Sequence, residues 1–249
     1  MNPLHTELSR LYRADVPANP SADFTGADLV DAHGRVRAMV LELSRPADWS
    51  ALAPVWQAVQ AELNLPAPAI AVTGVDGHQL WFALAEPIPI TEARAFLEAL
   101  SARYLAGLDS ARIRLFPGAH PERSNGVLHA AMVPAAQPQS GVWSAFVAPD
   151  LAAIFSDEPW LELPPGNEAQ AKVLANLQCT QPAAFQAALA RLRPAGPSAS
   201  VPATAAVCLA GQAAGAQPRA FLVSVMNDAG VDMHLRIEAA KALLPYYEG

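Results

Sequence analysis

One stretch, residues 70–86, constrains the fold of this chain more than any other. An apolar run ends at Val72 and a second apolar run starts at His78, with Gly74, Asp76 and Gly77 in the segment between them. Two apolar runs joined by a short segment with Gly and Asp predict a β-hairpin. His78 begins the second predicted strand, where a side chain can face a cleft.

The remaining periodic patterns predict further strands and helices around this hairpin. Alternating or continuous apolar runs favour strands, and apolar residues at helical spacing favour helices. The predicted strands are residues 36–43, 112–116, 127–133 and 142–147, and the predicted helices are residues 4–12, 48–63, 91–105, 168–177 and 183–192. Asp48 and Thr91 are predicted N-caps, and Pro54 is expected to delay the regular part of its helix.

The order of these elements predicts the fold class. Strand, helix, two strands, helix and two strands favour an α+β domain, in which helices pack on one face of an antiparallel or mixed sheet. We assign this domain to residues 1–193. Residues 194–217 are rich in Pro, Ala and Ser and are predicted to be a linker, and residues 218–249 are predicted to form a C-terminal helical pair.

Composition limits the classes of function. Hydrophobic residues make up 52% of the chain and support a sizeable core, while 16 Lys and Arg against 23 Asp and Glu give a net charge of −7. This balance argues against strong non-specific binding of nucleic acid. The two cysteines form no C-x-x-C pair, which argues against a zinc site. No signal-peptide core or membrane-length apolar span is present, so we expect a soluble cytoplasmic protein with no membrane partner.

Three segments together resemble the archaeo-eukaryotic primase (primase-polymerase) superfamily. They read T-G-V-D-G-H-Q-L-W-F at residues 73–82, I-R-L-F-P-G at residues 113–118 and S-N-G-V-L-H-A-A-M-V-P at residues 124–134. The resemblance covers roughly residues 30–165 and implies an RRM-like sheet with helices packed on it. The C-terminal segment resembles a helical module of phage- and plasmid-associated proteins, in which R-I-x-A-A-K-x-x-x-P-Y recurs.

The resemblance also implies which catalytic groups have been lost. Members of the superfamily carry a D-x-D pair on an early strand and a further acidic residue, which together bind two divalent metals. Here the corresponding position reads Leu41-Glu42-Leu43, so Glu42 is the one metal-ligand candidate. A lone carboxylate rarely holds Mg²⁺. We therefore predict no catalytic residue, and Mg²⁺ or Mn²⁺ as a cofactor only if the cleft is active.

Five residues are predicted to bind nucleotide. The family histidine helps to hold the phosphates, and it corresponds to His78; Thr73 and Gly77 belong to the same motif. Arg112 and Arg114 lie two residues apart on one predicted strand, so both can contact phosphate from one face. Alternatively, His78 satisfies hydrogen bonds at the hairpin start and the arginines lie on a solvated face. A metal cluster of His78, His120 and His129 fits no standard ligand spacing.

Three functions follow as hypotheses. The first is a degenerate primase-polymerase-like protein of a mobile element or replication system, which binds nucleotide or nucleic acid weakly. The second is an active nucleotidyltransferase with displaced carboxylates, combining Glu42 with Asp31 or Asp76. The third is an interaction or scaffold protein that binds a protein partner or itself through residues 218–249.

Overall fold

A five-stranded antiparallel sheet forms the centre of the part of the chain that the structure describes. The structure, a computed structural model, describes residues 2–15, 24–119 and 127–193. These residues belong to one unit, Met1–Pro197. The predicted linker, the predicted helical pair and His120 lie outside the described residues, so the corresponding predictions stay predictions.

The strands are β1 (Arg35–Ser44), β2 (Ala69–Val72), β3 (Gly77–Pro89), β4 (Ile113–Phe116), β5 (Gly118–Ala119), β6 (Val127–Leu128) and β7 (Ala145–Val147). The main sheet has the order β4-β1-β3-β2-β7, and β5 pairs with β6 separately. All neighbouring strands are antiparallel. The predicted hairpin is confirmed, because Val72 lies opposite His78. The strand predicted over residues 142–147 corresponds to β7, which lies at one edge of this sheet.

The helices are α1 (Pro3–Tyr12), α2 (Trp49–Ala61), α3 (Ile90–Tyr104), α4 (Asn167–Ala175) and α5 (Pro182–Leu192). Together with the sheet they confirm the predicted α+β class. Asp48 is the N-cap of α2, since its Oδ1 accepts a hydrogen bond of 3.1 Å from the Ala51 N–H. This cap allows α2 to begin at Trp49, so the expectation that Pro54 delays the helix was wrong. Among the described residues, no helix has both the length and the apolar character needed to cross a membrane.

Helices cover both faces of the sheet, whereas the sequence had predicted helices on one face. Leu80 and Phe82 of β3 face a core built with α2, α3 and α5. Trp81 and Ala83 face a second core built with α1 and part of α4. Successive side chains of a strand point to opposite faces. Because both sets of positions in this part of β3 are apolar, each face needs its own cover.

Three predicted strands are shorter than expected. The strand predicted over residues 142–147 is reduced to β7, Ala145–Val147. Arg112 lies in the 3-10 turn Ser110–Arg112, which Asp109 closes by accepting the Ala111 N–H at 2.9 Å. Strand β4 therefore starts one residue later. The strand predicted over residues 127–133 is reduced to β6. The Ala130 N–H donates to the His129 ring at 2.9 Å instead of to a neighbouring strand, and this ends the regular pairing.

The start of α3 also differs from the prediction. Pro89 occupies the N-cap position and the helix begins at Ile90, whereas Thr91 was the predicted cap. Proline has no N–H to donate to a sheet, and its φ angle is compatible with the residue before a helix. The last residue of β3 is therefore also the residue from which α3 starts.

Candidate functional site

A pocket of about 620 Å³ opens at one end of the sheet face that carries α1 and α4. Along this face of β1, Ala38 and Val40 belong to the second core, and Glu42 comes next at the pocket. The pocket lies where the face changes from apolar to polar. Its polar lining consists of Glu42, Arg45, Thr73, Asp76, Gln79, Arg114, His129 and Gln137.

Three polar side chains from adjacent strands form the floor of this pocket. Glu42 on β1 lies opposite Gln79 on β3 and opposite Arg114 on β4. The Gln79 Nε2 donates to Glu42 Oε2 at 2.7 Å, and the Arg114 Nη1 donates to Glu42 Oε1 at 3.1 Å. Both oxygens of the Glu42 carboxylate therefore accept hydrogen bonds within the protein. We call these three residues the floor row.

The orientation of Gln79 follows from Trp81, two residues along the same strand face. The Trp81 Nε1–H donates to Gln79 Oε1 at 2.8 Å. Since an indole N–H can only donate, it fixes the Gln79 carbonyl toward Trp81 and the amide N–H₂ toward Glu42. Glu42 is 4% exposed. Burying a carboxylate is costly unless it is paired and hydrogen-bonded, and the floor row meets both requirements.

Arg114 presents positive charge to the pocket. Its side chain is 49% exposed, and the guanidinium carbon lies 5.3 Å from the centre of the Phe116 ring on the same strand. The ring and the Glu42 carboxylate hold the guanidinium from two sides. An arginine in a half-buried, fixed position is well suited to binding an oxyanion.

Thr73 and Gly77 both shape the hairpin between β2 and β3. The Thr73 Oγ1 accepts backbone N–H bonds from Val75, Asp76 and Gly77 at 3.0–3.2 Å. At Gly77 a Cβ atom would lie 2.8 Å from the Ser44 Cβ, so the two strands approach too closely for a side chain. Thr73 lines the pocket, while Gly77 allows β1 and β3 to pair beside it.

His78 lies on the opposite face of the sheet from the floor row. It is fully buried, its Nε2 is 3.1 Å from the Ala152 carbonyl oxygen, and its ring packs against Trp49. Burial lowers the pKa of His78, an effect opposed by the hydrogen bond to Ala152 and by the Asp48 carboxylate. The structure therefore does not bring His78 to the pocket, because one step along a strand reverses the side chain direction.

Arg112 is also directed away from the pocket. Its Nη2 donates to the Pro46 carbonyl at 3.0 Å and lies 3.8 Å from the Asp48 carboxylate. It thus holds the segment that enters α2. The prediction that Arg112 and Arg114 share one strand face fails, because Arg112 belongs to the preceding 3-10 turn.

His129 lies in the pocket wall in a neutral form. Its Nε2 lies 3.1 Å from the Ala38 carbonyl, and its Nδ1 accepts the Ala130 N–H at 2.9 Å. Because a carbonyl oxygen can only accept, the His129 Nε2 carries the proton and donates a hydrogen bond to the Ala38 carbonyl. Burial lowers the pKa of His129 to about 4. With both ring nitrogens occupied, His129 is not available as a metal ligand alongside the distant His78.

Of the two carboxylates proposed as displaced metal ligands, Asp76 lies at the pocket and Asp31 does not. Asp31 accepts the Arg35 backbone N–H at 2.7 Å and pairs with the Arg35 side chain at 2.8 Å. Arg35 is seven residues from Glu42 along β1, roughly 23 Å at the usual strand rise, so Asp31 and Glu42 cannot share a metal ion. Asp76 does line the pocket with Glu42, but it faces Arg45 at 3.9 Å. Within the described ranges, no group of three His, Cys, Asp or Glu could hold a metal ion.

Among the polar residues of the pocket lining, sequence reasoning missed Gln79, Arg45 and Gln137. The alternation of H-Q-L-W-F contained a signal for Gln79, because it places Gln79 on the face of Trp81 and opposite to His78. No local signal identifies Arg45. It reaches the pocket because it follows the last residue of β1 with a φ angle of +57°, beside the hairpin tip.

No family model matches the chain, and no curated protein matches it. Among solved structures, the chain is similar to the primase-polymerase (PrimPol) AEP domain of cyanophage S-2L, with 16% sequence identity and a TM-score of 0.32. The similarity covers 68% of this chain and 95% of that one. A TM-score of this size does not establish a common fold, so membership of the superfamily stays a prediction.

Proposed function

We propose that this protein is a primase-polymerase-like protein that binds a nucleotide in the sheet-face pocket and does not catalyse nucleotidyl transfer. The observation that carries the proposal is the floor row. In it the half-exposed Arg114 pairs with the buried Glu42, and both carboxylate oxygens of Glu42 already accept hydrogen bonds. This arrangement offers positive charge to a phosphate and leaves no free acidic group at the strand position where the superfamily binds metal.

The size and lining of the pocket support a nucleotide as the ligand. Its volume of about 620 Å³ is in the range that holds small-molecule ligands. Arg45 and Arg114 can contact phosphates, while Phe116 and Met132 supply apolar surface for a base. The net charge of −7 makes a long tract of nucleic acid a weaker ligand than a single nucleotide.

A variant that fills the pocket tests this proposal. Ala131 is exposed and lines the pocket, so Ala131→Trp should occupy the space of the ligand and leave the floor row intact. We expect a fluorescent ATP analogue to bind the full-length protein and to lose at least about tenfold in affinity in this variant. The measurement is fluorescence anisotropy, both with Mg²⁺ and in EDTA.

The matched control is Ala102→Trp, at an exposed alanine of α3 on the other side of the sheet. It should bind like the wild type. Equal loss in both variants, or no nucleotide binding by the wild type, would contradict the proposal. Primer synthesis on a single-stranded template with Mn²⁺ should be absent, and its presence would revive the active nucleotidyltransferase.

The interaction protein remains the alternative from a different class. In that case the pocket would bind no nucleotide, and residues 218–249 would carry the function through self-association or a protein partner. These residues lie outside the described part of the chain.

A further inference from the structure

Glu42 has a structural role in the pocket floor that differs from the role of a metal ligand. A divalent metal such as Mg²⁺ needs several oxygen ligands at short distance. The two oxygens of Glu42 instead accept bonds from Gln79 at 2.7 Å and from Arg114 at 3.1 Å. To bind a metal, Glu42 would have to give up both bonds and accept a cation beside the Arg114 guanidinium.

Asp76, the second carboxylate of the pocket lining, also lies beside an arginine. Asp76 faces Arg45 at 3.9 Å, so each carboxylate of the pocket stands next to an arginine. His129 adds no charge near neutral pH, because burial lowers its pKa to about 4. The exposed charged groups are therefore better arranged to receive an anion than a cation.

Arg114 has most of its hydrogen-bonding capacity free. A guanidinium carries five N–H groups, and within the described residues Arg114 donates one hydrogen bond, to Glu42. Its side chain is half-exposed while Glu42 is buried. The guanidinium is also packed against Phe116, so its orientation is set before a ligand arrives. Such preorganisation lowers the entropic cost of binding.

We infer that the pocket is an oxyanion site that works without a divalent cation, with Arg114 as the contact for a phosphate group and Glu42 as the counter-ion that positions Arg114. This inference rests on the proposed function and adds to it that phosphate binding needs no divalent cation and that Glu42 acts as the counter-ion of Arg114. Glu42 neutralises part of the arginine charge, so it limits the affinity for anions while it keeps the guanidinium in place.

Isothermal titration of the full-length protein with inorganic pyrophosphate, and separately with ATP, tests the inference. We expect both to bind in EDTA and to bind no more tightly when Mg²⁺ is added. Arg114→Gln retains a donor for Glu42 and should weaken binding at least about tenfold, because the charged contact is lost. The control Arg112→Gln removes an arginine two residues away that faces Pro46, and it should bind like the wild type.

Glu42→Gln gives the sharpest result, because the two roles of Glu42 predict opposite changes in affinity. If Glu42 is the counter-ion, removing its charge should strengthen pyrophosphate binding at least about fivefold, because the repulsion between two negative charges is removed. If Glu42 is a metal ligand, the same change should abolish binding that depends on Mg²⁺. If Glu42→Gln does not fold, the affinities of the wild type in EDTA and with added Mg²⁺ still distinguish the two roles of Glu42.

The outcomes separate this inference from the proposed function. Nucleotide binding that requires Mg²⁺, or that Arg114→Gln leaves unchanged, would overturn the inference and leave the proposed function standing. Pyrophosphate binding through Arg114 with no additional affinity for ATP would confirm the oxyanion site and contradict the nucleotide-binding proposal. Absence of binding in the wild type and in Glu42→Gln would overturn both.

Discussion

At the residue scale, the pocket depends on which way single side chains point along a strand. His78 and Gln79 are neighbours in sequence, yet His78 is buried against Trp49 and Ala152 while Gln79 lies in the floor row. The histidine was one of the predicted phosphate contacts, whereas it is the glutamine next to it that lines the pocket. His129 entered the sequence analysis only as a member of a metal cluster, and the structure makes it a half-buried group of the pocket wall, with a pKa lowered to about 4.

The lowered pKa of His129 predicts a pH dependence of stability. Its pKa is about 4 in the folded protein and near 6.5 when unfolded, so between these values the unfolded chain binds the proton more readily. Stability is therefore lost as the pH falls from about 6.5 to about 4. Between pH 7 and pH 5 this amounts to about 2 kcal/mol of unfolding free energy from His129. His78, whose pKa is also lowered by burial, contributes with the same sign.

Urea unfolding at pH 7 and pH 5 checks this expectation. His129→Gln should reduce the difference between the two pH values by about 2 kcal/mol, whatever its effect on absolute stability. His33→Gln is the control, because His33 is exposed and should leave the difference unchanged. An unaltered difference in His129→Gln would show that the histidine is not held neutral.

At the element scale, the hairpin that the sequence predicted is held by its turn as much as by its strands. Gly74 has a φ angle of +77°, and its N–H donates to the Pro159 carbonyl at 2.9 Å. A Cβ at this position would lie 2.7 Å from the Ser144 nitrogen. The turn therefore needs glycine both for its backbone conformation and for its contact with a distant segment.

Gly74→Ala should reduce stability by about 2–3 kcal/mol, since it combines a left-handed backbone with a contact against rigid backbone atoms. Gly107→Ala is the matched control, because a Cβ at Gly107 meets no atom within 4 Å. It should change stability by less than about 0.5 kcal/mol. Urea unfolding of both variants at pH 7 measures the difference, and equal stabilities would show that the turn tolerates a side chain.

At the scale of the whole molecule, two cores on opposite faces of one sheet hold the described domain together. The first joins β1 and β3 to α2, α3 and α5, and the second joins the same strands to α1. The predicted boundary of this domain at residue 193 is open to a direct test.

We expect residues 1–193, expressed alone, to unfold in one cooperative transition with a midpoint within a few degrees of the full-length protein. Thermal unfolding followed by circular dichroism measures this. Light scattering of both proteins tests the predicted role of residues 218–249 at the same time. A full-length oligomer that becomes a monomer on truncation would support assembly through these residues, and an insoluble fragment would show that the domain extends beyond residue 193.

The amino-acid sequence by itself determined the types and order of the described helices and of the main-sheet strands, because hairpin turns, caps and apolar periodicity act over a few residues. It predicted β1, the β2–β3 hairpin, β7 and the Asp48 cap of α2 in this way. It also predicted that Glu42 stands alone on its strand, without a second acidic residue nearby.

The tertiary structure alone decided what surrounds Glu42. Arg114 is 72 residues away and Gln79 is 37 residues away in the chain, and only the register of three strands places them at one carboxylate. A shift of one residue in that register would turn the floor row to the other face of the sheet. Register is a property of the packed sheet rather than of any local pattern, and it made Glu42 the partner of an arginine.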